Sequence, residues 1–137
     1  MTLRLLSWNV RGLNNPRKRE VCKNPLKEWR SDIVCLQETK LSLMNSAVLR
    51  SLSGSPFKDW AVLDVVQSFG GVLLIWDKRV VEKIDVLVGQ FSISVLFRGI
   101  LDGFEWVCTD IYGPNADLNR VILWEELSRV RTHWKKS

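Results

Sequence analysis

The chain has 137 residues, of which 46% are hydrophobic and 26% are charged. This balance is typical of one folded globular domain, and it excludes an intrinsically disordered chain, which would combine few apolar residues with a high net charge. The longest apolar run, Val72 to Trp76, is too short to span a bilayer, so we expect no membrane role. The net charge of +5 favours polyanionic partners.

The cysteine content indicates where the protein works. Cys22, Cys35 and Cys108 are odd in number and have no paired spacing, so neither a disulfide framework nor a zinc site is indicated. We expect reduced, largely buried thiols in an intracellular protein.

The first part of the chain predicts a βαβ unit. Leu3 to Trp8 is typical of a strand, and Asn14-Asn15-Pro16 offers a start for a basic amphipathic helix that runs to about Arg30. An interior proline costs roughly 3 kcal/mol, so we expect this helix to kink or break at Asn24-Pro25. The nearly continuous apolar run from Asp32 to Gln37 predicts a strand that is buried on both faces.

The rest of the chain predicts a short helix, five strands and a final helix. The predicted bounds are Ser42 to Ser53 for the helix, Trp60 to Val66, Gly71 to Trp76, Val80 to Val88, Phe91 to Phe97 and Glu105 to Tyr112 for the strands, and Ala116 to Trp134 for the last helix. The short spacers between the strands favour antiparallel hairpins. This order predicts an α/β fold with one mixed β-sheet, helices on one face, and no evident cover for the other face.

Basic residues cluster in the predicted first helix and the loop before it. The cluster consists of Arg11, Arg17, Lys18, Arg19, Lys23, Lys27 and Arg30, against only two acidic residues, Glu20 and Glu28. Two interpretations stay open, namely contact with phosphate groups and an ordinary solvated helix face.

Two short polar motifs follow the strands of the βαβ unit, SWNVRG at Ser7 to Gly12 and QETK at Gln37 to Lys40. Parallel neighbours lie about 4.8 Å apart, so Asn9 and Glu38 at their carboxyl ends could approach one ion or one phosphate. Mg²⁺ typically takes one or two protein carboxylates and keeps its other positions for water and phosphate oxygens. Glu38 is therefore the predicted metal ligand, and Asn9 is a neutral group that hydrogen-bonds phosphate or orients Glu38.

An ordered set of motifs extends along nearly the whole chain: NVRGLN, CLQETKL, GGVLLIW, and YGP followed by a helix that contains WEEL. In this order they resemble the endonuclease/exonuclease/phosphatase superfamily, and most closely the N-terminal half of the endonuclease domain of plant LINE-type retrotransposons. The resemblance implies a four-layer αββα sandwich, with residues 1–137 as about its first half. It also implies Mg²⁺-dependent hydrolysis of DNA phosphodiester bonds, in the nucleus if the target is genomic DNA.

The resemblance assigns roles to individual residues. The residues that match Asn9, Glu38 and Tyr112 belong to the family's active site, with Glu38 as the metal ligand and Tyr112, of Tyr112-Gly113-Pro114, as a contact to the scissile phosphate. The candidate nucleic-acid contacts are Arg11, Arg17, Lys18 and Arg19. Outside the resemblance, a glutamate after a strand is more often a solvated end residue and a tyrosine at this position a β-strand aromatic.

The sequence departs from the family pattern in two places. The chain reaches Ser137 before the family's DxN and SDH motifs, and Pro25 stands where an apolar residue is usual. We therefore expect a half-domain that is inactive or nearly so alone and self-associates through an uncovered sheet face. Asp110 shares a strand face with Tyr112 and is a candidate replacement carboxylate, although a hairpin-edge or loop position is the favoured interpretation.

Two other functions stay open. The chain could be a non-catalytic nucleic-acid-binding fragment, whose binding would fall steeply with salt and survive Glu38→Ala. It could also be a phosphoesterase of the same superfamily that acts on a small or lipid phosphoester. The wording of NVRGLN and CLQETKL favours the nucleic-acid branch.

Overall fold

Strands and helices were located in a computed structural model that describes residues 3–63, 70–112 and 117–134, without the side chains of 117–120. In chain order they are β1 (Leu5–Asn9), α1 (Pro16–Glu28), β2 (Ile33–Gln37), α2 (Ser46–Leu52), β3 (Lys58–Leu63), β4 (Val72–Asp77), β5 (Val81–Val88), β6 (Ser92–Gly99), β7 (Glu105–Ile111) and α3 (Asp117–His133). Every predicted element is present close to its predicted bounds. The predicted strand end at Val66, the predicted helix start at Ala116, and Gly113-Pro114 lie outside the described residues.

The strands divide between two sheets, which corrects the expectation of a single sheet, while the mixed α/β class is confirmed. The first sheet has the order β1-β2-β4-β3, with β1 and β2 parallel and the other pairs antiparallel. The second sheet, β5-β6-β7, is antiparallel throughout. The reason is that β4 pairs with β2 on one edge and with β3 on the other, so β5 has no edge of β4 left to join. The three residues between β4 and β5, 78–80, therefore connect two sheets and do not form a hairpin within one sheet.

The two sheets pack face to face. Along β2 and β4, alternate side chains point to opposite faces, because successive residues of a strand do so. One set contacts the second sheet across a core that consists of Ile33, Cys35, Ala61, Val72, Leu74, Trp76, Val81, Ile93, Val95, Phe97 and Cys108. The expectation of an uncovered sheet face is therefore wrong. Because self-association was predicted from that uncovered face, the prediction of self-association loses its support.

The helices cover the outer faces of this sandwich. The other set of side chains from β2 and β4, including Val34 and Leu36, packs against α1 and α2 in a second core. On the far side α3 packs against β6, where Leu96 lines a groove with Leu127 and Val130. The chain thus builds four layers, helix, sheet, sheet and helix, from its own elements. No helix in the described ranges is both long and apolar enough to cross a bilayer.

Helix α1 begins as predicted and ends at Glu28, two residues before the predicted end near Arg30. Asn15 caps it, because the Asn15 side chain accepts a hydrogen bond from Arg17 N, and Pro16 occupies the first turn. The predicted break at Asn24-Pro25 is wrong, since the helix continues through Pro25 to Glu28. Packing of Cys22 and Leu26 against the first sheet, one on each side of the proline in sequence, offsets the cost of its missing donor.

A buried carboxylate fixes α3 to the second sheet. Glu126 is 6% exposed and accepts hydrogen bonds from Gln90 N, Phe91 N and Ser92 Oγ at the turn between β5 and β6. A Cβ on Gly89 would lie 2.4 Å from Glu126 Cδ, so glycine is required for this approach. Charge-assisted bonds to backbone donors are strong and directional, which sets the position of α3 along the sheet.

Polar side chains also enter the interface between the sheets, where β2 meets β7. Gln37 Nε2 donates to Asp110 Oδ1 over 2.9 Å and to Ser7 Oγ over 3.1 Å. Asp110 is only 2% exposed, so the favoured hairpin-edge or loop interpretation of this residue is wrong. Burial raises the pKa of Asp110 to about 7, although hydrogen bonds from Gln37 and the Ile111 backbone act in the opposite direction.

This buried carboxyl makes stability depend on pH in an unusual direction. Its pKa lies above the ordinary value of 3.8, so the folded chain binds the proton more tightly than the unfolded chain does. The stabilisation is complete below pH 4 and is lost as the pH rises through 7, a loss on the order of 2–4 kcal/mol. We expect Asp110→Asn to raise the free energy of unfolding at pH 8 and to leave it nearly unchanged at pH 4.

Urea unfolding of both chains at pH 4, 6 and 8 measures this difference. Glu20→Gln is the matched control, because Glu20 is an exposed carboxylate on α1. An Asp110→Asn effect that is equal at all three pH values would contradict the assignment.

Candidate functional site at the carboxyl ends of β1 and β2

The loops that follow β1 and β2 stay paired beyond the ends of the strands. Val10 N donates to Gln37 O over 3.1 Å, Gly12 N to Glu38 O over 2.7 Å, and Leu13 N to Thr39 O over 2.7 Å. These bonds continue the parallel ladder into the SWNVRG and QETK motifs. The two motifs therefore form one connected surface.

The QETK loop is also bonded to the segment before β4. Thr39 N donates to Gly71 O over 3.2 Å, and Lys40 N donates to Gly70 O over 2.8 Å. Asn14 bridges from the other side, because its side chain donates to Lys40 O and accepts from Ser42 N. Two segments that are distant in sequence, the loop after β1 and residues 70–71, thus hold the QETK loop from both sides.

Strained backbone is concentrated in these loops. Arg11, Glu38 and Lys40 have φ values of 54°, 51° and 52°, in the left-handed region that side chains other than glycine rarely adopt. Each such residue costs of the order of 1–3 kcal/mol and persists only where its surroundings enforce it. The hydrogen bonds of Glu38 O and Lys40 N supply that constraint. Strain at this point of the fold supports a functional role for Glu38.

Asn9 lies at the exposed end of β1, opposite Gln37 in the parallel register. Its Oδ1 accepts a hydrogen bond from Arg11 N over 3.2 Å, which fixes the side chain over the turn that follows. An amide held in this way keeps its nitrogen free to donate to an anion. The contact of Asn9 with phosphate stays a prediction.

Tyr112 reaches the same end of the molecule from the second sheet. Its backbone N donates to Phe91 O over 2.7 Å, and its ring stacks on Phe91 with centroids 6.3 Å apart. The ring also lies directly over Gly70, because a Cβ built there would be 2.1 Å from Tyr112 Cε1. The Tyr112 ring packs on the Gly70 α-carbon, and the Gly70 carbonyl accepts a hydrogen bond from Lys40 N. Gly70 therefore links Tyr112, the first residue of the YGP motif, to the QETK motif.

Gly70 and Lys40 are site residues that the sequence reasoning did not single out. Gly70 stands in a Gly-Gly pair before a buried strand, which is a signal for close backbone approach. Lys40 completes the QETK motif, is exposed, and lies beside Gly12, where a Cβ would be 3.9 Å from Lys40 Cδ.

The residues predicted to contact nucleic acid differ in exposure and in their hydrogen bonds within the protein. Arg11, Arg17 and Lys18 are exposed, in the loop after β1 and the first turn of α1. Arg19 is partly buried, and its guanidinium donates to Ser51 Oγ over 2.8 Å and to Leu13 O over 2.7 Å. Arg19 therefore connects α1 to α2, and its predicted contact with DNA would compete with these bonds.

The ligand chemistry at this end is that of a hard cation with few protein ligands. Within the described ranges, no group of three or more histidine, cysteine, aspartate or glutamate side chains could hold a metal ion. Glu38 is a half-buried carboxylate in the loop after β2, and Asp110 on β7 is buried. The residues therefore fit Mg²⁺, which needs only one or two protein carboxylates and completes its coordination shell with water and phosphate oxygens. They do not fit zinc.

Comparison with known proteins identifies the family of this chain. A profile described as "Endonuclease/Exonuclease/phosphatase family" matches residues 6–134. The fold is similar to that of an endonuclease/exonuclease/phosphatase family protein from Bacteroides thetaiotaomicron, with a TM-score of 0.71 and 12% identity over 95% of this chain and 59% of that one.

Two further solved structures share the fold. One is an AP endonuclease from Leishmania major, with a TM-score of 0.61 and 14% identity over 88% of this chain and 43% of that one. The other is D. rerio TDP2 complexed with a single-strand DNA product, with a TM-score of 0.60 and 17% identity over 94% of this chain and 54% of that one. The chain spans roughly half the length of these structures. Because the profile match extends from β1 to α3, the chain belongs to the endonuclease/exonuclease/phosphatase family.

Proposed function

We propose that this chain carries the metal-binding and phosphate-binding part of a Mg²⁺-dependent DNA endonuclease of the kind found in plant LINE-type retrotransposons. One observation carries the proposal. Gly70 is bonded to the QETK loop and packed under Tyr112, which holds two motifs from different sheets at one end of the sandwich. The NVRGLN and CLQETKL wording supports the retrotransposon branch of the family.

Each residue of the site has a chemical task in this proposal. Glu38 binds the cation through its carboxylate, and Asn9 donates from its side-chain nitrogen to a phosphate oxygen. The Tyr112 hydroxyl donates to the phosphate oxygen on which negative charge develops during hydrolysis. A bound Mg²⁺ supplies Lewis acid stabilisation of the same charge.

DNA is the proposed substrate because of the basic groups around this end. Arg11, Arg17, Lys18 and Lys40 are exposed within the loops and first helical turn that surround Asn9 and Glu38. Such a group of cations suits a polyanion that extends across the site and exceeds what a single small phosphoester needs. Two of the similar structures are named as an AP endonuclease and as a complex with a DNA product.

Among the described residues we find no general base that could activate the attacking water. His133 is exposed on α3, and its ring lies edge-on to that of Trp134. Asp110 is buried under Gln37, away from solvent. We therefore assign binding and orientation, and no general base, to the residues that the structure describes.

The role of Glu38 predicts a metal-binding defect that can be measured without catalysis. We expect Glu38→Gln to weaken binding of Mn²⁺, used as a paramagnetic substitute for Mg²⁺, at least tenfold, because the charged ligand is lost. Electron paramagnetic resonance of free Mn²⁺ measures the affinity, and competition by Mg²⁺ shows that the same site is used. Glu28→Gln is the control, since Glu28 is an exposed carboxylate at the end of α1. Equal affinities for the parent chain and Glu38→Gln would refute the assignment.

A nicking assay on supercoiled plasmid tests whether these residues suffice for hydrolysis. With Mg²⁺ we expect the chain alone to nick at, or close to, the rate seen with chelator, since the described residues supply no base for the water. Metal-dependent nicking that is lost in Glu38→Ala would contradict this expectation and show that the chain completes a working site.

A second candidate function, non-catalytic binding of nucleic acid, is favoured by the exposure of Arg11, Arg17 and Lys18. In this case fluorescence anisotropy with a labelled DNA duplex should show affinity that falls steeply with salt and is unchanged by chelator or Glu38→Gln. Arg17→Ala and Lys18→Ala should each lower the slope of log affinity against log salt by about 1, as for the loss of one phosphate contact.

Lys83→Ala on β5 is the control for that measurement, because Lys83 is exposed on the second sheet. An equal change in slope for Lys83→Ala would show that attraction is general and that α1 forms no specific phosphate contact.

A further inference from the structure

A pair of thiols joins the two sheets at the centre of the molecule. Cys35 on β2 and Cys108 on β7 are both buried, and their Sγ atoms are 3.7 Å apart. Both are free, as the sequence predicted. The contact lies between strands of different sheets, so a bond between these sulfurs would cross the interface that holds the sandwich together.

We propose that Cys35 and Cys108 form an oxidative modification site, at which a hydroperoxide converts the two thiols into a disulfide between the sheets. The site takes a small, uncharged two-electron oxidant, of which hydrogen peroxide is the simplest. This inference is independent of the proposed DNA chemistry.

The geometry leaves only a small movement to be made. A disulfide requires its sulfurs at about 2.05 Å, so the Sγ atoms, which are 3.7 Å apart, need only a short further approach. Among the described elements β7 pairs only with β6, so it is an edge strand and can shift towards β2 without breaking a second ladder. Cys35, between β1 and β4 in the first sheet, is the fixed partner.

The two sulfurs have different roles in the reaction. The hydrogen bond between the two thiols holds the pKa of Cys108 below its usual range, whereas the same contact and burial raise the pKa of Cys35. Cys108 is also the more exposed of the two, at 8% against 4%. Cys108 is therefore the thiolate that meets the oxidant first.

The electron and proton balance is simple. The Cys108 thiolate attacks one peroxide oxygen, the O–O bond breaks, and hydroxide leaves, which forms a sulfenic acid. Cys35 then attacks the Cys108 sulfur, the S–O bond breaks, and the S–S bond forms as a second water is released. The sulfurs lose two electrons, the peroxide gains them, and both thiol protons end in water.

Cys22 cannot take part while the chain is folded. It lies on α1 in the core between the first sheet and the helices, on the opposite face of that sheet from Cys35 and Cys108. In an unfolded chain the preference would reverse, because Cys22 and Cys35 are close in sequence and closing a short loop costs less entropy. Oxidation in the folded state should thus select the pair that is distant in sequence.

The test uses the full chain treated with hydrogen peroxide, unfolded, and alkylated with N-ethylmaleimide. We expect a mass loss of two hydrogens and one remaining alkylated cysteine, Cys22, with peptide mapping that identifies a Cys35–Cys108 link. Cys22→Ser should give the same link and no alkylation. Cys108→Ala should form no intramolecular disulfide, and should take up two alkyl groups.

Peroxide treatment in guanidinium is the control for folding, and there Cys22–Cys35 should be the main product. The native disulfide should raise the thermal midpoint by at least about 5 °C, and a reductant should reverse the shift. The inference is overturned if Cys35 and Cys108 remain alkylatable after native oxidation, or if the native and unfolded chains give the same product. A stable sulfinic acid at Cys108 with no link would also overturn it.

Discussion

The saturation of β4 is the constraint on which the rest of the structure depends. Both edges of this strand are occupied, by β2 through residues Ile33 to Gln37 and by β3 through Lys58 to Leu63. The chain that leaves β4 cannot extend the same sheet, so it crosses over and starts a second one. The apolar residues that β2 and β4 present on that side are then buried by β5, β6 and β7. A single pairing choice thus turns a layer with one open face into a closed sandwich.

The candidate site follows from the same choice. Since β2 and β4 are neighbours, the loop after β2 meets the segment before β4, and the carbonyls of Gly70 and Gly71 accept from Lys40 and Thr39. Since the second sheet folds over this pair, β7 ends above Gly70. The ring of Tyr112, the residue after β7, fits there only because Gly70 has no Cβ. Closure of the sandwich brings Tyr112 close to the QETK loop, although the two are distant in sequence. The left-handed backbone at Glu38, whose carbonyl accepts from Gly12 N, lies in this same loop.

The sequence predicted the strands and helices, because these depend on local patterns, and its candidate site residues stay predictions. Apolar runs and turn residues indicated each strand, and the resemblance indicated Asn9, Glu38 and Tyr112. What failed depends on contacts distant in sequence. The spacer after Asp77 reads as a hairpin unless the neighbours of β4 are known, and the break at Pro25 was predicted from helix propensity without the packing of Cys22 and Leu26. In the same way, Arg19 has the residue type of a phosphate contact until Ser51 and the Leu13 carbonyl are placed beside it.

The seam between β2 and β7 connects stability with function. A seam chosen only for stability would be apolar, since a buried carboxyl with an oxygen that has no partner among the described residues is costly. Here Asp110 and Gln37 lie in it, and they directly precede the segments that carry Tyr112 and Glu38. The hydrogen bond between them ties the ends of two strands from different sheets at a distance that apolar contacts, which have no direction, would fix less well. This polar pair lowers stability near neutral pH, but it fixes the relative position of the two strands that lead into the candidate site. Such a trade-off is expected where the geometry of a site matters more than stability.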